Sequence, residues 1–132
     1  MTERKSLPLF AALDLNTLRE ARQTMDMLSG VVDAIKIGPR LYAQGGAHFL
    51  KEIVDHGFKL FLDLKLHDIP NTVKKAMRVL AGLDADIVNL HAAGTRAMME
   101  AALEGLTRPD GSRPYLPRGF SGCSLRLRSG IR

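Results

Sequence analysis

The stretch KLFLDLKLHDIPNTV, residues 59–73, opens as an apolar run suited to a buried strand and ends with Asp63, Lys65, His67 and Asp68 inside six positions. An isolated ion removed from water is strongly disfavoured, so charge at the end of a buried strand has to pair or do chemistry. Side chains two apart on a strand share a face, which points Asp63 and Lys65 together. Lys36, in the apolar run 34–37, joins them if its strand lies alongside and faces the same way. Asp68, three residues past Lys65 in a loop, is placed to reach the same space or that of a partner chain. An alternating carboxylate and ammonium array offsets much of the burial penalty. The spacing D-x-K-x-x-D by itself therefore fits a structural salt-bridge network as readily as a catalytic one.

Working outward, apolar runs that read as buried strands recur at Leu9–Leu13, Ala34–Ile37, Leu60–Leu64 and Ile87–Leu90. Helical patterns lie between them. One follows Asn16 as N-cap, with Leu18, Ala21, Met25 and Leu28 on one face and Gly30 at its end. A second runs from about Ala47 to His56, a third from near Asn71 to Gly82, and a fourth over about Thr95 to Leu103. Four βα units in a row imply a parallel sheet with helical cover. No G-x-G-x-x-G or Walker-type loop follows a strand, as a nucleotide-binding open sheet would require. Instead Asp14, Lys36, Asp63, Lys65 and His91 all fall at the carboxyl ends of the strands, where (β/α)8 barrels gather their catalytic groups. The expected fold is α/β, a TIM-type parallel barrel of which the first four βα units occupy residues 1–105. A whole barrel takes roughly 200 to 250 residues, and four units alone would leave strands 1 and 4 as open edges.

Composition bounds the remaining possibilities. With 132 residues, 45% apolar and 25% charged, the chain has the make-up of one globular domain. No apolar run approaches a membrane span, and MTERKSLPLFAALDL lacks the form of a signal peptide, so a cytoplasmic protein is expected. Cys123 is the single cysteine, which excludes an internal disulfide and a multi-Cys zinc site. The net charge of +5 resides wholly in residues 106–132, which hold six arginines and one acid, Asp110. Gly, Pro and Ser fill 11 of those 27 positions, without helical or strand period. Such a basic tail reads as a linker, a disordered arm, or the product of a reading frame that changes at about residue 115.

The wording around the charged array is more specific than its spacing. DLKLHDIPNTV resembles the signature of the orotidine 5′-phosphate decarboxylase family, and ALDL, AIKIG and VNLHAAG resemble that family's first, second and fourth strands in the same order. The resemblance runs from about Leu9 to Leu106, the first half of the family's barrel. It implies cofactor-free loss of CO2 from orotidine 5′-monophosphate to give uridine 5′-monophosphate, the last step of de novo pyrimidine nucleotide synthesis, with no metal.

By that resemblance Lys65 is the proton donor to C6 of the pyrimidine, and Asp63 sits beside the substrate carboxylate and holds Lys65. Lys36 completes the array and contacts the ribose, and Asp14 binds a ribose hydroxyl, although an Asp after a strand also caps helices. Asp68 and Thr72 reach across a homodimer interface into the partner's site. His91 supports the ribose region or bonds locally, and His67 is structural. Paired glycines are usual after His91's counterpart; here Gly94 is followed by Thr95. The family's phosphate-gripping loops follow later strands, so the chain is expected to be an impaired half-site. Two other readings stay open: a magnesium-dependent phosphosugar decarboxylase or synthase of the same superfamily, and a non-catalytic fragment whose basic tail binds acidic partners. The latter has little aromatic interleaving beyond Tyr115 and Phe120, so nucleic acid is not an expected partner.

Overall fold

In the computed structural model, which describes residues 8–83, 85–111 and 124–126, four parallel strands alternate with four helices. The strands are β1 (Phe10–Leu13), β2 (Ala34–Ile37), β3 (Lys59–Leu66) and β4 (Ile87–Leu90), and they lie side by side in chain order. The helices are α1 (Leu18–Leu28), α2 (Pro39–Asp55), α3 (Pro70–Ala81) and α4 (Thr95–Leu106). Sequential parallel order with a helix in every crossover is how a (β/α)8 barrel begins.

The period of two along each strand sorts its residues between two environments. Leu13, Ile35, Ile37, Leu60, Leu62, Val88 and Leu90 are buried on the helix side, against Met25, Phe49, Leu50, Ile53, Val73, Met77, Met98 and Leu106. On the other face Phe10 and Ala12 are exposed, while Lys36, Phe61 and Ile87 are half-buried. Phe10 and Phe61 meet edge to face there at 6.5 Å. Among the described residues, therefore, the helices cover one face only.

Both ends of the strands are specialised. At the amino ends, Asp33 accepts from Leu9 N–H at 2.7 Å and Asp86 accepts from Leu60 N–H at 2.9 Å. Each aspartate precedes its own strand and ties the start of the preceding one, so these carboxylates are structural. The carboxyl ends hold the candidate site.

Several boundaries differ from the sequence expectation. Thr17, and not Asn16, caps α1: its hydroxyl accepts from Glu20 N–H at 3.2 Å while Glu20 reaches back to Asn16 N–H at 3.1 Å, a capping box displaced by one residue. The α2 segment opens at Pro39, a residue well suited to a first helical position, but Gly46, at φ 53° and ψ −154°, leaves the helical region and divides it in two, so a helix does begin at about Ala47 as expected and a further helical stretch precedes it. Gly45 is where α2 approaches α1, since a Cβ there would strike Phe49 and crowd Leu18. The core runs through Leu106, which is 1% exposed. In the tail, expected to be irregular, β5 (Ser124–Arg126) pairs antiparallel with Ile87–Asn89, so the outer edge of β4 is occupied. The proposed frame change near residue 115 lies outside the described residues. Among those described, no helix is long and apolar enough to cross a membrane.

Candidate active site

The site is built on a break in the sheet. Leu62 pairs with Val88 and Leu66 with Leu90, so Asp63, Leu64 and Lys65 stand opposite the single residue Asn89. Such a bulge re-aims side chains and leaves backbone groups without ladder partners. Lys65 has φ 51°, a left-handed conformation that is uncommon outside glycine. The simple alternation rule thus reaches the right neighbours by a path the chain does not follow: Asp63 and Lys65 do converge, but on a bulged strand with a left-handed turn.

Asp63 is the hub of this array, 6% exposed. Lys65 Nζ lies 2.6 Å from its Oδ1 and Lys36 Nζ lies 3.2 Å from its Oδ2. Lys36 is paired in register with Phe61, two residues before Asp63, which puts it on the same face. Asn89 Nδ2 donates to Oδ1 of Asp63 at 2.6 Å, and Asn89 Oδ1 accepts from the Lys65 backbone N–H at 2.7 Å. Burial alone would raise the Asp63 carboxyl, but hydrogen bonds from Lys65, Asn89 and Lys36 outweigh it and hold the group at about 2. At neutral pH it is an ionised acceptor with cations on both oxygens. Both ammonium groups keep access to solvent: the Lys65 side chain is 56% exposed and that of Lys36 is 37% exposed. An arriving anion would meet two cations on a rigid carboxylate, an arrangement suited to stabilising negative charge and donating a proton.

The other residues singled out from the sequence sit around this array without joining it. Asp14 is exposed and lies 3.7 Å from Arg40; the N-cap of α1 is Thr17, so Asp14 does not cap that helix. Asp68 accepts from its neighbour Ile69 N–H at 2.7 Å, and among the described residues no ion pair joins it to Lys65. Thr72 is exposed on the first turn of α3. Lys65, His67, Asp68, Thr72 and Ala76 line one open groove. His91 packs its ring against His67 at 5.5 Å. Thr95, at the place where paired glycines are usual, takes φ 85° and ψ 160°, a conformation that is nearly glycine's alone.

Asn89 is the contact that sequence reasoning overlooked. It sat inside VNLHAAG as part of the resemblance and received no role. The signal was present: one amide in an otherwise apolar four-residue strand, IVNL.

A parallel βα sheet with a lysine–carboxylate array at the carboxyl ends of its strands defines the class: the first half of a TIM-type barrel, with its ionisable groups at the end where such barrels place their sites. The chain belongs to the orotidine 5′-phosphate decarboxylase / HUMPS family, whose sequence profile matches residues 7–118. It is 48% identical over 112 residues to orotidine 5′-phosphate decarboxylase of Shouchella clausii (strain KSM-K16), covering 83% of this chain and 47% of that one. Among solved structures, it is similar to orotidine 5′-phosphate decarboxylase from Lactobacillus acidophilus, with TM-score 0.66 and 34% identity over 87% of this chain and 49% of the other. A second is orotidine 5′-monophosphate decarboxylase from Methanocaldococcus jannaschii complexed with the inhibitor BMP, with TM-score 0.71 and 25% identity over 80% of this chain and 50% of the other. The chain spans about half the length of the curated relatives it matches. These relatives lend no support to the phosphosugar or basic-fragment readings.

Proposed function

We propose that the array decarboxylates orotidine 5′-monophosphate to uridine 5′-monophosphate, with Lys65 protonating C6 as CO2 leaves. The observation that carries this is the buried, ionised Asp63 held between Lys65 at 2.6 Å and Lys36 at 3.2 Å. Loss of CO2 leaves an electron pair on the ring carbon, and two cations fixed beside that point stabilise it. Lys65 then supplies the proton, and the pair becomes a C–H bond. Asp63 keeps Lys65 charged and in place, and Lys36 and Asp14 bind the ribose side. In the same reading His91, whose ring packs against His67 at 5.5 Å, supports the ribose region.

The second half of this reading is a homodimer in which Asp68 and Thr72 complete the partner's site. Supporting it, Ile69 and Val79 are 66% and 67% exposed, and together with Thr72 and Ala76 they form a stripe at helical spacing along α3. Turnover by this chain is expected to be weak, because phosphate contacts that ordinarily lower the barrier belong to later strands in the family's barrel. A cytoplasmic location is proposed on the nucleotide substrate alone.

The test is release of labelled CO2 from carboxyl-labelled substrate. The wild-type chain is expected to exceed the buffer blank, and Lys65→Ala to reduce the rate by roughly 100-fold or more. Equal rates from the two proteins would dismiss the array as a catalyst.

A further inference from the structure

The bulge in β3 leaves the Lys65 backbone N–H without a strand partner, at a position whose φ of 51° disfavours a non-glycine residue. Asn89, across on β4, satisfies that N–H through Oδ1 at 2.7 Å and spends its Nδ2 on the Asp63 carboxylate at 2.6 Å. Only one orientation of the amide works, since the reverse would set oxygen against carboxylate and NH2 against N–H. Among the described residues the buried polar side chains are Asp63 and Asn89, at 6% and 8% exposure. The amide and the Lys65 ammonium share one oxygen of Asp63, while Lys36 from β2 takes the other. Asn89 therefore grips both ends of the Asp63–Lys65 segment: the carboxylate by its donor, and the backbone of the lysine by its acceptor.

We infer that Asn89 is a positioning residue, which holds the left-handed turn at Lys65 and so fixes where the Lys65 ammonium stands relative to the Asp63 carboxylate. The consequence for proton delivery rests on the decarboxylase reading above; the grip on the turn does not. On this inference Asn89 acts through Lys65 and Asp63, the two residues its amide bonds.

Two substitutions separate this from packing. Asn89→Leu keeps the volume but removes donor and acceptor together. Asn89→Asp keeps the acceptor, and regains a donor only when the introduced carboxyl is protonated, because a carboxylic acid then imitates the amide. The 132-residue chain and both variants are compared by 13C titration of the Asp63 carboxyl, by exchange of the Lys65 amide proton, and by labelled CO2 release between about pH 5 and 8. With Asn89→Leu, the Asp63 midpoint is expected to rise by roughly one unit or more. Lys65 amide exchange should quicken at least about tenfold, and kcat should fall roughly 100-fold with KM little changed. With Asn89→Asp, Lys65 amide protection should largely persist, and turnover should recover as pH falls and the introduced carboxyl regains a donor. Unmoved titration and exchange in Asn89→Leu would overturn the inference, as would equal and pH-independent defects in both variants. Absence of CO2 release from the wild-type chain would defeat the decarboxylase reading alone, and the titration and amide exchange would still decide the role of Asn89.

Discussion

Replacing Asp63 by asparagine isolates the electrostatics of the array. In the folded chain the carboxyl stands at about 2, against about 3.9 for an unperturbed aspartate. A depressed folded value means that the stabilisation is fully present above the unfolded value. It is lost as pH falls through the window from about 4 to about 2, because protons bind the unfolded chain first. The difference corresponds to about 2 to 3 kcal/mol at neutral pH. Asp63→Asn is nearly isosteric but leaves Lys36 and Lys65 without a counter-ion, so it is expected to lose about that much stability at pH 7. By about pH 2.5 most of the gap should have closed. Urea unfolding followed by far-UV circular dichroism at a series of pH values measures this. Other carboxylates contribute equally to both proteins and cancel in the difference. A gap between wild type and variant that stays constant from pH 7 to pH 2.5 would refute the claim that the two lysines and Asn89 hold Asp63 ionised.

Three further outcomes follow from the geometry. Thr95→Gly removes a β-branched residue from φ 85°, ψ 160° and should raise stability by about 1 kcal/mol in thermal unfolding; loss of the long 3.4 Å bond from Met98 N–H to its hydroxyl offsets part of the gain. Gly105→Ala should destabilise by about 2 kcal/mol or more, because its methyl would collide with the carbonyl oxygen of Lys74 where α4 crosses α3. Val79→Lys places a charge in the exposed stripe of α3; analytical ultracentrifugation should show loss of the proposed dimer, with the circular dichroism spectrum unchanged.

How much of this was legible in the chain depends on the range of the interaction. The four strands and their helices were readable because apolar period and capping residues act within a few positions: Leu60–Leu64 marked β3, and Gly82 marked the end of α3. The helix from about Ala47 was readable because Gly46 does interrupt the helical backbone, whereas the helical stretch that precedes it from Pro39 was not read. The pairing of Asp63 with Lys65 was legible from a spacing of two, and that of Lys36 only conditionally, because it needed the register of β2 on β3. Asn89 was not legible as a partner, since its two contacts lie 24 and 26 residues away.

By itself, then, the sequence determined the alternation of strand and helix, the placement of charge at the carboxyl ends of strands, and the family, because each is written in local periodicity and contiguous motif. Only the tertiary structure decided that Lys65 turns left-handed on a bulge, that Asn89 bridges it to Asp63, and that Asp14, Asp68 and Thr72 stand outside that array. The reason is physical: a backbone N–H freed by a bulge must find an acceptor wherever the fold brings one, and which strand supplies it is set by packing across the sheet.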